Sequence, residues 1–198
     1  MLLLYAIAAG LLIGLLSRGS LANLAHVRIR RWPLALAGLI FQLLLFSPPV
    51  AAAVGSAGPP LYVGSTAIVL LVLLLNLRLP GFWLVGVGAL LNLIVVVANG
   101  GQMPASPEGF MALTGVAAVP TEAFSNSILI GPQTVFPLLG DIFILPRPIP
   151  LANIFSIGDV LIAMGGTWFI VSTMRRPTLA APAQARTKPE TAGLPAAS

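Results

Sequence analysis

The sequence predicts an all-α, polytopic transmembrane bundle of about five spans, with its N-terminus outside and its C-terminus in the cytoplasm. Three observations carry that reading. Of 198 residues, 58% are hydrophobic and only 8% are charged, and the mean hydropathy is +1.01. Fifteen Lys, Arg, Asp and Glu side chains cannot cover the surface of a soluble domain this long. The apolar residues fall into five runs near the length of about 20 residues that a membrane helix needs. Nine of the ten basic residues flank those runs on one side.

The first run, 1–17, is short but uncharged. It lacks a basic stretch ahead of it and a small-x-small site before Arg18, so it reads as an uncleaved anchor and not as a signal peptide. Ala6, Gly10 and Gly14 share one face of it, a spacing that lets two helix backbones approach closely. The second run extends from Pro33 to about Val54, with Pro48-Pro49 loosening its far end. The third covers Leu61 to about Leu77, the fourth Gly81 to about Ala98, and the fifth about Ile154 to Thr173. Backbone groups in hydrocarbon must be satisfied internally, so all five are helices.

Charge then sets the orientation. Arg18, Arg28, Arg30 and Arg31 share one loop, Arg78 lies between the third and fourth runs, and Arg175, Arg176, Arg186 and Lys188 follow the fifth. Five spans with an outer N-terminus put these nine on the cytoplasmic side and leave Arg147 alone outside. Glu108, Glu122 and Asp141 fall outside, Asp159 lies near the outer end of the fifth helix, and Glu190 is inside. The expected location is the bacterial inner membrane, multi-pass.

Residues 1–176 form the expected bundle. It includes an ordered extracytoplasmic segment, 99–153, packed on the outer mouth. Residues 177–198, rich in Ala, Pro and Thr, read as a disordered cytoplasmic tail.

Composition excludes much chemistry. Cysteine is absent, so thiolate centres have no residues to build them, and the sole histidine, His26, sits in a basic loop, which speaks against a histidine-based catalytic unit. With so few soft ligands an oxygen-ligated ion such as Mg²⁺ or Ca²⁺ is the one metal class left open, and no metal or cofactor is expected. The net charge of +5 is explained by lipid-facing topology and not by nucleic acid, because no aromatic-interleaved basic surface accompanies it. The expected partners are the lipid bilayer and either a second copy or another membrane protein.

Gln42, Asn76, Asn92 and Asn99 are the few polar groups in the helices, and interhelical hydrogen bonding accounts for them. The outer segment opens with Asn99-Gly100-Gly101-Gln102-Met103-Pro104, a sharp turn whose backbone N–H groups can cradle an anion. It closes with Gly140-Asp141, then Pro146-Arg147-Pro148, then Asn153 and Ser156 before Gly158-Asp159. Asn153 or Ser156 is positioned to cap the fifth helix, and the helix dipole favours Asp159 in its first turns. An acid at the membrane is costly, about 2.5–3.5 kcal/mol at mid-depth, and is a functional hypothesis by default. If the proline-rich link folds back, Asp141 faces Asp159 and one proton is shared between them, as in aspartic proteases. Alternatively, Arg147 pairs with one of the acids.

Asn-Gly-Gly-x-Met-Pro, followed by Gly-Asp and Pro-x-Pro-Leu-x-Asn-x-Phe-Ser-x-Gly-Asp, resembles a family of small bacterial integral-membrane proteins of unknown function. The resemblance covers roughly residues 1–175 and implies an inner-membrane location without an activity. Phe155-Ser156-Ile157-Gly158-Asp159, with Ile162 and Gly165, also resembles the second-aspartate motif of lipoprotein signal peptidase. That likeness implies catalytic roles for Asp159 and for Asp141, 18 residues earlier. Ser156 and Leu138 stand where that family has Asn, and the family has four spans with a cytoplasmic N-terminus.

The leading expectation is therefore a non-catalytic membrane component. Its outer face would bind a lipid, ligand or partner through Asn99, Gly100, Gly101, Met103, Arg147, Asn153 and Ser156. The alternatives are a membrane-embedded aspartyl hydrolase using Asp141 and Asp159, and a small transporter or channel subunit.

Overall fold

A computed structural model of the chain describes residues 2–115 and 126–176. The expected tail, 177–198, lies outside the described residues, as do Glu122 and Glu190. The fold is mostly helical. Helix α1 spans Leu2–Leu16, α2 Ala22–Ala25, α3 Trp32–Leu45, α4 Pro48–Val54, α5 Gly58–Leu74 and α6 Phe82–Ala98. Strand β1 (Met103–Ala105), helix α7 (Pro107–Thr114) and strands β2 (Ser127–Leu129), β3 (Phe143–Leu145) and β4 (Asn153–Phe155) follow. Helix α8 (Ile157–Met174) ends the described chain.

Two stretches are long and apolar enough to cross a membrane, Pro48–Leu74 and Ile157–Met174. The first joins α4 to α5 through a 3₁₀ turn at Gly55–Ala57. Three shorter apolar helices, α1, α3 and α6, accompany them.

The second apolar run does not continue to Val54 as one helix. It stops at Leu45. Proline lacks the N–H that would continue the ladder and drives the residue before it into extended backbone. Ser47, ahead of Pro48-Pro49, accordingly sits at φ −69°, ψ 139°, and its hydroxyl donates to the Leu44 carbonyl at 2.6 Å.

The principal helix contacts run in the order α1–α8–α6–α5–α3, so α8 inserts between α1 and α6. Helices α1 and α8 run parallel. Thr167 Oγ1 donates to the Ala6 carbonyl, Gly10 faces Ile170, and Gly14 faces Met174. Helices α6 and α8 run antiparallel, with Gly81 against Gly165 and Gly88 against Gly158. Helices α3 and α5 also run antiparallel. Gly38 faces Val69, and Gln42 Nε2 donates to the Ser65 and Thr66 hydroxyls, both at 3.1 Å.

These directions gather residues 17–31, 75–81 and 174–176 at one end of the bundle. The opposite end carries α4 and the described residues 99–115 and 126–156. These are ordered by two small strand pairs: β1 with β2, parallel, and β3 with β4, antiparallel. They add strand to an otherwise helical chain, and they satisfy backbone polar groups where no helix does so. A bridge between Ala105 and Asp141 ties one pair towards the other. The Tyr5 hydroxyl donates to the Pro150 carbonyl, pinning the start of α1 beneath the turn between β3 and β4.

Candidate functional site

The start of α8 meets the middle of α6 at a closed polar cluster. Ser156 caps α8: its hydroxyl accepts from the Asp159 N–H at 3.0 Å, and its own N–H donates to Asp159 Oδ2 at 3.1 Å. This is a reciprocal capping box, and it satisfies two backbone donors at once. Asn92, reaching across from α6, closes the ring. Its Nδ2 donates to Asp159 Oδ1 at 2.9 Å, and its Oδ1 accepts from the Ser156 hydroxyl at 2.9 Å. Ser156 is wholly buried. Each Asp159 carboxylate oxygen thus has a donor, one from the main chain and one from the neighbouring helix. Of the two expected caps, Ser156 does the capping, while Asn153 opens β4 opposite Leu145.

Asp141 is held differently. Its N–H donates to the Pro104 carbonyl at 2.7 Å, and its carbonyl accepts from Ser106 at 2.9 Å. Gly140 lies so close to Pro104 that a Cβ there would stand 2.5 Å from the Pro104 oxygen. The main chain is therefore locked, yet the carboxyl group finds no hydrogen bond among the described residues. Burial pushes the Asp141 carboxyl up to about 7, and the negative charge of Asp159 pushes it the same way. The two acids lie within electrostatic reach of one another.

Arg147 does not join them. Its guanidinium donates to the Leu113 carbonyl at the end of α7, from both Nε (3.2 Å) and Nη2.

The other residues singled out in the sequence stand at the exit of α6. Asn99 Nδ2 donates to the Val95 and Val135 carbonyls, and its Oδ1 accepts from the Val135 N–H. That is a side chain serving as a length of strand. Gly100 and Gly101 take φ of 68° and 89°. The Gly101 N–H closes the helix on the Val96 carbonyl at 2.8 Å, and Gly101 presses on Pro59, where any Cβ would collide. Met103 is buried with Val95 and Val96, with Tyr62 and Val63 packed against them. The turn therefore serves packing, with its N–H groups directed to protein acceptors.

The structure groups Ser156, Asp159 and Asn92, brings Asp141 within electrostatic reach of Asp159, and sets Arg147 apart against the end of α7. Sequence reasoning placed Asn92 only among general interhelical glue, and it passed over Tyr62. Tyr62 packs edge-on against Phe46 at 5.1 Å and lies within electrostatic reach of both aspartates. A tyrosine near the start of an apolar run was the available signal. Among the described residues no cluster of His, Asp or Glu is arranged to hold a metal ion.

A family model described as a family of unknown function (DUF5317) matches residues 26–171. No curated protein and no solved structure matches the chain.

Proposed function

We propose that this chain, which belongs to the DUF5317 family of unknown function, is a five-span component of the bacterial inner membrane that binds a ligand, lipid or partner on its outer face without catalysing a reaction. The alternation of helix directions supports five spans. The gathering of Arg18, Arg31, Arg78 and Arg175 at one end supports a cytoplasmic placement of that end.

The non-catalytic reading is carried by the state of Asp159. Both Asp159 oxygens accept a bond that a helix cap and an interhelical contact explain, from the Ser156 N–H and from Asn92, so its place in the fold is accounted for without a substrate. That leaves Asp141 as the acid available to a ligand at the outer mouth. Gln42 and Asn92 hydrogen-bond neighbouring helices, which favours packing over a conduction path.

One observation favours a second reading. Burial, with the influence of Asp159, pushes the Asp141 carboxyl up to about 7, as happens to one acid of a carboxylate dyad. An aspartyl hydrolase similar to lipoprotein signal peptidase would use that pair.

Two experiments test the proposal. The chain has no cysteine, so single replacements Ser56→Cys, Gly131→Cys and Ala25→Cys can be labelled with a membrane-impermeant maleimide in intact cells. The first two are expected to react and the third only after lysis; the reverse pattern sinks the topology. Expression in cells depleted of lipoprotein signal peptidase is expected to give no rescue. Rescue that Asp141→Asn and Asp159→Asn each abolish would establish the hydrolase instead.

A further inference from the structure

The end of the bundle opposite the aspartates carries a strong and uncompensated positive charge. Seven arginines lie between residues 18 and 176 at this end, all of them exposed, and the acids among the described residues, Glu108, Asp141 and Asp159, all lie at the other end. The arginines form two groups whose backbones are fixed. Asn76, at the end of α5, accepts from the Arg30 N–H at 2.8 Å and donates to the Arg30 carbonyl at 2.9 Å. This sets Arg30 and Arg31 beside Arg78. In the second group, Asn23 donates to the Met174 and Arg176 carbonyls, and the Ser20 N–H donates to Met174. The loop after α1 is thereby fastened over the end of α8, which brings Arg18 to Arg175 and Arg176.

Two of these arginines stand where the backbone favours another residue. Arg18 has φ 58° and Arg31 has φ 61°. Arg18 occupies the left-handed position that ends α1: its N–H bonds to the Leu15 carbonyl, and the Gly19 N–H bonds to Gly14. Glycine is the common residue there. A long cation kept at a strained position, without an acid to pair with, points to something outside the chain that holds the side chain.

The surrounding surface says what kind of surface that is. The chain has three tryptophans, and all three lie in the half of the bundle nearest this end. Trp32 begins α3, Trp83 lies at the start of α6, and Trp168 packs edge-on against Trp83 at 6.2 Å. All are exposed. Exposed tryptophan beside exposed arginine on an apolar bundle is the composition of a headgroup interface. We infer that the two arginine groups bind the phosphodiester headgroups of anionic phospholipids in the adjoining leaflet. Guanidinium forks suit phosphate oxygens, and each basic residue near an anionic leaflet adds to the attraction.

The inference rests on the membrane reading above but not on which leaflet faces the cytoplasm. It is tested in nanodiscs, which expose both faces. The full chain is reconstituted in phosphatidylcholine alone and in equal parts phosphatidylcholine and phosphatidylglycerol. Thermal unfolding and the lipids retained in native mass spectrometry are then read. Phosphatidylglycerol is expected to raise the Tm by several degrees and to be retained several-fold over phosphatidylcholine. Raising salt from about 50 to 500 mM should shrink the Tm difference, since the Debye length falls from roughly 14 to 4 Å.

The triple variants Arg30→Gln/Arg31→Gln/Arg78→Gln and Arg18→Gln/Arg175→Gln/Arg176→Gln are each expected to lose part of the shift. Their lysine counterparts should keep most of it. Equal Tm and retention in the two lipids would overturn the inference, as would a shift that both glutamine triples preserve. A shift reproduced in phosphatidylcholine discs by inorganic phosphate at matched ionic strength would assign the arginines to a soluble anion. Failure of the labelling experiment leaves this outcome readable, because it concerns orientation and not lipid choice.

Discussion

Asn92 Nδ2 donates to Asp159 Oδ1 at 2.9 Å, from the middle of α6 to the first turn of α8. The same side chain accepts from Ser156 on its oxygen, so one amide satisfies a cap and a carboxylate together. A hydrogen bond to a charged group contributes about 1.5–3 kcal/mol, and leaving a buried partner unpaired costs a similar amount. Asn92→Ala is therefore expected to destabilise the folded chain by about 2 kcal/mol. Ser156→Ala should cost about 1 kcal/mol or more, since it also removes the helix cap. The double variant is expected to cost less than the sum, because the two residues share one network. Equilibrium unfolding in mild detergent measures all three; strict additivity would show that the ring does not act as a unit.

The approach of α6 and α8 depends on glycine at matched positions. A Cβ at Gly158 would stand 1.9 Å from Asn92 Oδ1, and one at Gly88 would stand 2.4 Å from the Gly158 carbonyl. Gly158→Ala must either break the Asn92 ring or part the helices. Overpacking of this kind costs about 1–3 kcal/mol, occasionally more. Gly64 is the control: it also lies within a helix, α5, and nothing stands within 4 Å of its Cβ position. Gly64→Ala is expected to be stabilising by about 0.5 kcal/mol through lost freedom in the unfolded chain. If both substitutions have the same effect, close backbone approach is not what holds α6 to α8.

Asp141 gives the fold a pH dependence of defined sign. Unfolded, its carboxyl ionises near the ordinary value of about 3.9; folded, burial and Asp159 hold it up to about 7. The folded state binds the proton more tightly. The stability this contributes is complete below about pH 4 and lost as pH rises through about 7. Asp141→Asn is expected to flatten that fall. At pH 8 the variant should be more stable than the parent by about 2 kcal/mol, after discounting for the solvent that still reaches the half-buried group. At pH 4 the two should differ little. An infrared difference titration supplies the direct check: a protonated carboxyl band with a midpoint near 7 should vanish in Asp141→Asn. A midpoint near 4 would show the carboxyl to be freely solvated.

The helices were legible in the sequence because apolar length and flanking charge are local properties. Thus α1, α5, α6 and α8 fall within a few residues of the runs that predicted them. The break after Leu45 is less legible, since Pro48-Pro49 in an apolar run permits either a kink or a stop, and local sequence does not choose between them. The capping role of Ser156 was half legible: Ser156 and Asn153 both precede the helix, and the backbone alone decides which becomes the cap. The partner of Asp159 was not legible. Asn92 lies 67 residues away in sequence, and its meeting with Asp159 depends on the antiparallel register that Gly81, Gly88, Gly158 and Gly165 create. The role expected of Asn99, Gly100 and Gly101 as an anion cradle shows the converse. Residues chosen for unusual backbone freedom were explained by helix exit and contact with Pro59 once their neighbours were known.

Thr173, one residue from the end of α8, is fully buried, and its hydroxyl finds no partner among the described residues. A helical threonine normally returns its hydroxyl to a carbonyl one turn earlier, and here the packing of α1 and α2 against α8 leaves it unpaired. Thr173→Val keeps the shape and removes the unsatisfied group, so desolvation ceases to oppose folding. The substitution is expected to be stabilising by up to about 1 kcal/mol. Thr173→Ser keeps the hydroxyl but removes the methyl group, and it should destabilise by about 1 kcal/mol, the usual magnitude for one buried methyl. Thermal unfolding of the two variants in the same nanodisc preparation decides between packing and polarity at this position. A Thr173→Val chain clearly less stable than the parent would mean that the hydroxyl is satisfied in the membrane, by a carbonyl or by water, and that the end of α8 is more open than its burial implies.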